Sequence, residues 1–223
     1  MKFHRHAFDG PASLLWVLLP GAYMKPEDFL QAGFVDAVRS RGLPHDVVLL
    51  EATIPEVADG SALRSLQAFL CDDMQAAGVP VALGGISLGA HLALACLARA
   101  ECSGAERQAA ARVRQACLLA PYLGPRDIVA QAGEGEGEGL KGWQAPPGEP
   151  DDIDRRIWRW LQSPRPDGCE LHLGCGGQDR FAEAHALMAR YLPADRVDVQ
   201  PGGHDWATWT VLWNRYLDRH AVT

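Results

Sequence analysis

The sequence lacks the features of nucleic-acid-binding and membrane-spanning proteins. Its 21 Lys and Arg are outnumbered by 28 Asp and Glu, which gives a formal charge of −7 at pH 7. Nucleic-acid binders usually carry clustered Lys and Arg, so no nucleic acid is expected as a partner. A helix that spans a bilayer needs about 20 apolar residues in a row. The only N-terminal apolar run, 14–19, is too short, and no membrane span is predicted.

A recognisable export signal is also missing. The apolar run 14–19 follows Asp9-Gly10-Pro11 rather than a basic flank, and no small-residue cleavage site comes directly after it. We therefore expect a cytoplasmic protein. In a reducing compartment the six cysteines are expected to be thiols, most of them buried, rather than a disulfide framework.

Length and composition favour one globular domain over residues 1–223, with 48% hydrophobic and 22% charged residues. Short runs rich in Val and Leu predict strands that are covered on both faces. The runs are 14–19, 47–50, 79–83, 116–120, 171–173 and 197–199. Helix-like segments lie between or after them, at 26–39, 61–77, 91–99, 181–191 and 206–219. This alternation predicts an α/β fold: a mostly parallel sheet of about six strands with helices on both faces.

One long stretch, 124–166, interrupts this alternation. It contains Gly133 to Gly139, in which Gly alternates with Glu, and this composition predicts a mobile loop. A helix-like segment follows at 151–162. We interpret 124–166 as an insertion within the single domain. Two interpretations stay open: a lid over a ligand site, with the aromatic residues of this region as its apolar contacts, or a disordered surface insertion.

The sharpest local motif is Gly85-Ile86-Ser87-Leu88-Gly89. A G-x-S-x-G pattern is weak alone, but here it lies between a predicted strand and a predicted helix. A serine at such a strained turn holds its hydroxyl above the sheet, and small neighbours are needed because the turn is crowded. Ser87 is therefore the candidate nucleophile. The backbone N–H of Leu88, at the start of the helix, would face a developing oxyanion.

A nucleophilic serine needs a base, and the sequence has eight histidines. Enzymes with this type of turn place their partners in the order Ser, Asp or Glu, His. His204 fits this order, in a loop between the last predicted strand and the last predicted helix. His91, four residues after Ser87, is interpreted as a packed helix residue. The other histidines precede the turn or fall within predicted strands or helices: His4, His6, His45, His172, His185 and His220.

The third member should be an acid that orients the imidazole. Asp179 ends a glycine-rich loop after the predicted strand 171–173, and we predict this role for it. The alternative is that Asp179 caps the helix that starts near Phe181. Asp198 and Asp205 are less well placed, because one lies in a strand and the other is next to His204.

Together these segments resemble the α/β-hydrolase superfamily, in particular its compact carboxylesterase and acyl-thioesterase members. The resemblance covers nearly the whole chain through the order and spacing of its motifs. Gly85 to Ala90 is similar to the family's nucleophile motif. Gly177-Gln178-Asp179 is similar to its acid loop, and Gly203-His204 to its base loop. About six strands would make this a minimal version of a fold that usually has eight.

The resemblance also extends to the loop after the first predicted strand. Leu19-Pro20-Gly21-Ala22-Tyr23, with Glu27-Asp28-Phe29 after it, is similar to the family's oxyanion loop, although Pro20 stands where a histidine is common. The resemblance implies that the backbone N–H groups of Ala22 and Leu88 form the oxyanion hole, with Tyr23 the next candidate. It also implies a lid between the sixth and seventh family strands, where 124–166 falls.

The expected activity is hydrolysis of a small-molecule carboxylic ester or thioester, with Ser87, His204 and Asp179 as the catalytic triad. No cofactor and no metal are expected, and the oligomeric state is left open. The same triad also supports amide or C–C bond hydrolysis. Two other classes stay open. One is a non-catalytic ligand-binding protein on a hydrolase scaffold. The other is a nucleotide-binding protein that uses Gly84-Gly85, although both standard phosphate-loop motifs are missing.

Overall fold

The computed structural model describes residues 2–72, 78–98, 104–147, 152–163 and 168–220. At its centre is a seven-stranded sheet with the strand order β1-β3-β2-β4-β5-β6-β7. The strands are β1 (Phe3–His6), β2 (Leu14–Leu19), β3 (His45–Leu50), β4 (Val81–Ile86), β5 (Val113–Leu119), β6 (Glu170–Gly176) and β7 (Val197–Gln200). Strands β2 to β7 pair in parallel, and β1 pairs antiparallel with β3 at one edge.

All six apolar runs form strands, which confirms the predicted mainly parallel α/β fold. The expected number of about six strands was one too low, because β1 has no apolar run. Its residues Phe3-His4-Arg5-His6 are mostly exposed, and the strand pairs on one side only, with β3. An exposed edge strand buries little side-chain surface, so its sequence carries little hydrophobic signal.

All six predicted helical segments form helices, with differences at their ends, and three further helices, at 54–58, 105–112 and 126–137, were not predicted. The helices are α1 (Pro26–Gln31), α2 (Phe34–Ser40), α3 (Ile54–Ala58), α4 (Ser61–Asp72), α5 (Leu88–Leu97), α6 (Ala105–Arg112), α7 (Arg126–Gly137), α8 (Ile153–Gln162), α9 (Ala182–Ala189) and α10 (Trp206–His220). The predicted helix 26–39 is divided at Gly33, whose φ of 75° is left-handed. The end of the predicted helix 61–77 lies outside the described residues.

Helices cover both faces of the sheet, as predicted. Side chains alternate along β2, so Leu15 and Val17 enter one apolar core while Trp16 and Leu18 enter the other. The first core is completed by α4, α5 and α8, and the second by α1, α2 and α10. Because both faces are buried, all six residues of β2 are buried.

The stretch 124–166 forms two helices that pack into the first core. In α8, Trp158 is fully buried and its Nε1–H donates to the Leu123 carbonyl at 2.8 Å. Ile157 and Leu161 of α8 are also buried. A disordered surface insertion therefore does not describe 124–147 and 152–163, whereas residues 148–151 and 164–166 lie outside the described part of the chain.

The Gly-Glu repeat departs from helical geometry but makes specific contacts. The backbone angles of Glu134, Gly135 and Glu136 are non-helical. However, Gly137 is buried, and its carbonyl accepts a hydrogen bond from the Tyr191 hydroxyl. These contacts differ from the mobile loop that composition predicts.

The described part of the chain contains no helix that is long and apolar enough to cross a membrane. Among the described cysteines, Cys71, Cys96, Cys117 and Cys175 are buried, as predicted for most of the six, and Cys102 lies outside the described residues. Burial raises the pKa of the Cys175 thiol to about 11, so this group stays protonated at neutral pH.

Candidate active site

Ser87 occupies the sharp turn between β4 and α5. Its φ of 52° lies in the left-handed region, which is unusual for a residue with a side chain and costs conformational energy. Two neighbouring backbone hydrogen bonds hold the turn. The Ser87 N–H donates to the Leu119 carbonyl at 2.9 Å, and the Tyr122 N–H donates to the Ser87 carbonyl at 3.1 Å. The end of β5 and the loop after it therefore fix the position of Ser87.

The glycines on both sides of Ser87 are explained by close backbone contacts. A Cβ on Gly85 would lie 2.5 Å from the Ala90 nitrogen, and a Cβ on Gly89 would overlap the Leu19 carbonyl oxygen. Larger residues would force apart β4, α5 or the end of β2. The G-x-S-x-G spacing thus has a packing cause, independent of any chemistry.

The structure brings Asp179 and His204 together. Asp179 follows β6 and His204 follows the neighbouring strand β7, and His204 Nδ1 lies 2.8 Å from Asp179 Oδ2. The other carboxylate oxygen, Oδ1, accepts the Phe181 N–H at 2.8 Å. The Asp179 side chain is fully buried. Both oxygens are therefore held, and the imidazole has one preferred orientation.

Asp179 remains charged in this environment. Burial raises its pKa, but the hydrogen bonds from His204 and the Phe181 N–H outweigh that effect, so the pKa lies below its usual value. An ionised carboxylate only accepts hydrogen bonds, so it selects the ring form with a proton on Nδ1 and a lone pair on Nε2. The capping alternative is not met, because Phe181 is the N-cap of α9 and no side chain caps that helix.

Aromatic rings connect these residues at one edge of the sheet. Because β4, β6 and β7 run parallel, their carboxyl ends lie at the same edge. The centre of the Phe181 ring is 5.2 Å from that of His204 and 5.8 Å from that of Tyr122. The His204 ring also contacts Trp209, with ring centres 5.0 Å apart. Sequence reasoning missed Phe181 and Trp209 as neighbours of the base. Their closeness in the chain to Asp179 and His204 was the available signal.

The two predicted oxyanion donors lie on segments that touch. Leu88 is the first residue of α5, where the backbone N–H has no partner within the helix. Ala22 lies in a turn closed by a 3.2 Å hydrogen bond from the Met24 N–H to the Gly21 carbonyl. A Cβ on Gly21 would lie 3.2 Å from the Ile86 carbonyl oxygen, so this turn is next to Ser87. The donor assignment stays a prediction, with the exposed Tyr23 still the alternative.

His91 forms a second pair with an acid, which sequence reasoning did not predict. It is buried in α5, and its Nδ1 lies 3.6 Å from Asp154 Oδ1 of α8, too long for a hydrogen bond. Burial lowers the pKa of His91 to about 4 and raises the pKa of Asp154 to about 6. His185 is also buried, and its Nε2 contacts the Pro121 carbonyl at 3.0 Å. Both histidines are packed residues, as predicted.

One cluster of potential metal ligands occurs among the described residues. It consists of Glu170, His172 and His220, whose ligand atoms lie within 4.8 Å of one another. Glu170 also accepts a hydrogen bond from Arg196 at 2.9 Å. The cluster lies near the amino end of β6, whereas Asp179 follows its carboxyl end. It therefore takes no part in the chemistry available at Ser87.

The comparisons with known proteins agree with this architecture. No protein-family model matches the sequence, and the comparison with curated proteins found no match. The chain is similar to the solved structure of S-formylglutathione hydrolase from Staphylococcus aureus, with 13% identity, a TM-score of 0.61 and coverage of 95% of this chain and 82% of that one. It is also similar to mouse alpha/beta hydrolase domain-containing protein 10, with 19% identity, a TM-score of 0.57 and coverage of 98% and 94%.

A third similar structure is monoacylglycerol lipase from Paleococcus ferrophilus, with 13% identity, a TM-score of 0.60 and coverage of 100% and 99%. These proteins match nearly the whole of this chain in fold. The chain therefore has the α/β-hydrolase fold, which confirms the fold class expected from its motifs. At this level of identity the similarity is one of fold, and the chemistry has to be argued from the site.

Proposed function

We propose that the protein is a serine hydrolase that cleaves a carboxylic ester or thioester through an acyl-enzyme intermediate. One observation carries the proposal: Asp179 and His204, which are 25 residues apart, form a 2.8 Å hydrogen bond at the sheet edge where the strained turn presents Ser87. Nucleophile, base and orienting acid thus come from the ends of three parallel strands. This arrangement is the recurring geometry of triad hydrolases.

In the first half of the proposed reaction, Ser87 Oγ attacks the carbonyl carbon of the substrate and its proton passes to His204 Nε2. Negative charge then develops on the carbonyl oxygen. The backbone N–H groups of Leu88 and Ala22 would stabilise that charge. The tetrahedral intermediate collapses, the C–O or C–S bond breaks, and the alcohol or thiol leaves with the proton from His204.

In the second half, water attacks the acyl group on Ser87 while His204 accepts a proton from the water. A second tetrahedral intermediate collapses, the bond to Ser87 Oγ breaks, and the proton on His204 returns to Ser87. The products are a carboxylic acid and the free enzyme. Asp179 stays ionised throughout and holds the imidazolium in place. These steps balance without any cofactor.

Two of the structural neighbours favour acyl compounds among the substrates that a triad can cleave. One neighbour is named as a hydrolase of S-formylglutathione and another as a monoacylglycerol lipase. Amide and C–C bond hydrolysis use the same residues and are separated only by assay. A non-catalytic role is disfavoured, because a binding protein needs neither the strained Ser87 nor the paired His204.

The nucleotide-binding alternative has no support in the described residues. Gly84 and Gly85 lie inside β4, and a Cβ on Gly84 would overlap the side chain of Leu18. These glycines are packed within the sheet, whereas a phosphate loop follows a strand and exposes its N–H groups. Within the proposal, residues 1–223 act as one domain, and 124–166 borders the substrate site.

The test compares the wild type with Ser87→Ala, using Ser13→Ala as the control because Ser13 is exposed and distant in sequence from the motif. A fluorophosphonate probe should label wild type and Ser13→Ala but not Ser87→Ala. Hydrolysis of p-nitrophenyl butyrate and of a butyryl thioester should fall at least about 10³-fold in Ser87→Ala. Equal labelling or turnover in Ser87→Ala, with an unchanged circular dichroism spectrum, would refute the proposal.

A further inference from the structure

An open groove of about 1100 Å³ lies between α7 and α9, beside the candidate active site. Two of its lining residues contact the triad region. Tyr122 donates its N–H to the Ser87 carbonyl at 3.1 Å, and the Phe181 ring lies 5.2 Å from the His204 ring. The groove is therefore adjacent to both the nucleophile and the base. Its volume suits a small organic substrate.

The groove is rich in arginine although the protein as a whole is acidic. Arg126, Arg180 and Arg190 line it, against two acids, Glu134 and Glu183. The formal charge of the whole chain is −7, so a groove with more cations than anions is a local exception. Such an excess of cations in a concave site raises the local concentration of anions.

Two of these arginines lie at the end of the groove that is nearest the triad. Arg126 begins α7, after β5, and Arg180 directly follows Asp179, after β6. Because β5 and β6 are neighbours in the sheet, the two arginines flank the same end of the groove. The Arg180 guanidinium lies over the Phe181 ring, 4.8 Å from its centre, so Phe181 connects Arg180 to His204. Arg190 is further away and donates to the Glu136 carbonyl.

The groove also has apolar lining residues. Val129 of α7 and Ala184 and Leu187 of α9 are among the apolar residues that line it. A substrate that fits this pattern has a short carbon chain next to the reacting carbonyl and an anionic group within reach of Arg126 and Arg180. Guanidinium groups bind carboxylate and phosphate oxygens through paired hydrogen bonds.

We propose that this groove selects esters that carry a carboxylate or phosphate group, which Arg126 and Arg180 bind while Ser87 attacks the ester carbonyl. The inference rests on the proposed function and specifies its substrate class. Arg126 and Arg180 are specificity-determining residues in this proposal. They act by binding the charge of the substrate and take no part in the proton transfers.

The kinetic test uses matched anionic and neutral esters. For an anion on the acyl part, p-nitrophenyl hydrogen glutarate is compared with methyl p-nitrophenyl glutarate, which has the same chain and no charge. For an anion on the leaving group, the butyrate ester of 4-hydroxybenzoate is compared with that of its methyl ester. The anionic ester should have the higher kcat/KM, by about tenfold, in one of the two pairs. That pair identifies which part of the substrate carries the anion.

The variants Arg126→Gln and Arg180→Gln should each lower the ratio of anionic to neutral kcat/KM about three- to tenfold, and 0.5 M NaCl should lower it in the wild type. Arg64→Gln is the control, because Arg64 lies in α4 outside the groove, and it should leave the ratio unchanged. A ratio near one in both pairs, or an unchanged ratio in both groove variants, would overturn the proposal.

A binding measurement separates this proposal from the proposed function. Calorimetry with Ser87→Ala measures binding of glutarate or 4-hydroxybenzoate, which needs no turnover. Weaker binding to the double variant Ser87→Ala/Arg180→Gln than to Ser87→Ala supports the groove proposal, even if no ester is hydrolysed and the proposed function fails. Equal binding to the two proteins contradicts the groove proposal, even if the hydrolysis of neutral esters depends on Ser87.

Discussion

The molecule contains two histidine–aspartate pairs near Ser87, and their geometry differs. His204 and Asp179 lie on two loops at the sheet edge and are 2.8 Å apart. His91 and Asp154 lie on two packed helices, α5 and α8, and are 3.6 Å apart. In the first pair the pKa of the acid lies below its usual value, and in the second it is raised to about 6.

The difference shows that burial alone does not decide whether an acid beside a histidine is stable as an anion. Burial raises the pKa of both acids, but only Asp179 receives hydrogen bonds that offset it. The carboxylate of Asp179 is therefore stable as an anion that can orient an imidazole. In the second pair, Asp154 Oδ1 and His91 Nδ1 are buried without a hydrogen-bond partner among the described residues. That pair is better described as a neutral imidazole and a carboxylate without a hydrogen bond between them, in a helix interface where burial disfavours the charged form of each.

The largest expected effect comes from removing each histidine in turn. His204→Ala should lower kcat/KM for p-nitrophenyl butyrate by about 10³- to 10⁴-fold, because Ser87 loses its base. His91→Ala should stay within about tenfold of wild type, because His91 has a packing role. Both should be compared at equal folded concentration, judged by circular dichroism. The reverse order of effects would assign the base to His91.

The next effect separates the two acids. Asp179→Asn should lower kcat by about 10²- to 10⁴-fold, since the amide neither stabilises the imidazolium nor selects the required ring form. Asp154→Asn should change kcat by less than about fivefold, because Asp154 contacts no reacting group in the proposed mechanism. Steady-state kinetics on one ester suffice. A deep loss of kcat in Asp154→Asn would place the second pair in the catalytic machinery.

The smallest effect concerns stability and pH. The folded pKa of Asp154 is about 6, above its usual 3.8, so the folded protein binds more protons than the unfolded chain between these values. The contribution of Asp154 to stability is therefore fully present below pH 4 and is lost as the pH rises through 6. The pKa difference corresponds to roughly 3 kcal/mol, which solvent screening should reduce to about 1–2 kcal/mol at pH 7.

Asp154→Asn removes this cost and should raise the melting temperature by about 2–8 °C at pH 7.5, with little change at pH 4. His91 has the opposite effect. Its folded pKa of about 4 lies below its usual 6.5, so the unfolded chain binds more protons between these values and the protein loses stability as the pH falls below 6.5. Comparing wild type with Asp154→Asn at each pH isolates the aspartate from His91, Tyr122 and the nearby charges of Asp127, Asp152 and Arg155. A lower melting temperature at pH 7.5 would show that Asp154 is stabilised as an anion.

Much of the fold could be predicted because its strands are buried on both faces. All residues of the strands Leu14–Leu19 and Val81–Ile86 are buried. Because such strands are covered on both faces, their hydrophobic pattern is continuous and can be recognised in the sequence. The exposed strand Phe3–His6 has no such pattern and was missed. Within the stretch 124–166, composition predicted a mobile loop for Gly133 to Gly139, because composition does not reveal tertiary contacts. Gly137 is buried and its carbonyl accepts a hydrogen bond from Tyr191, and the nearby Trp158 of α8 is fully buried.

The sequence by itself determined the candidate nucleophile and the order expected for its proposed partners. The motif around Ser87 is local, since its glycines and its strand-to-helix position are visible in a few consecutive residues. Asp179 and His204 could be predicted because each directly follows a predicted strand, and parallel strands end at one edge.

Only the tertiary structure decided that His91 lies beside Asp154, and which arginines line a groove beside the candidate active site. His91 and Asp154 are 63 positions apart, on helices whose packing no local pattern describes. Arg126 and Arg180 line one groove because they follow β5 and β6, which are neighbours in the sheet. The physical reason is that a residue's own neighbours in the chain set its secondary structure. Its partners across the molecule depend on how whole elements pack to bury their apolar faces.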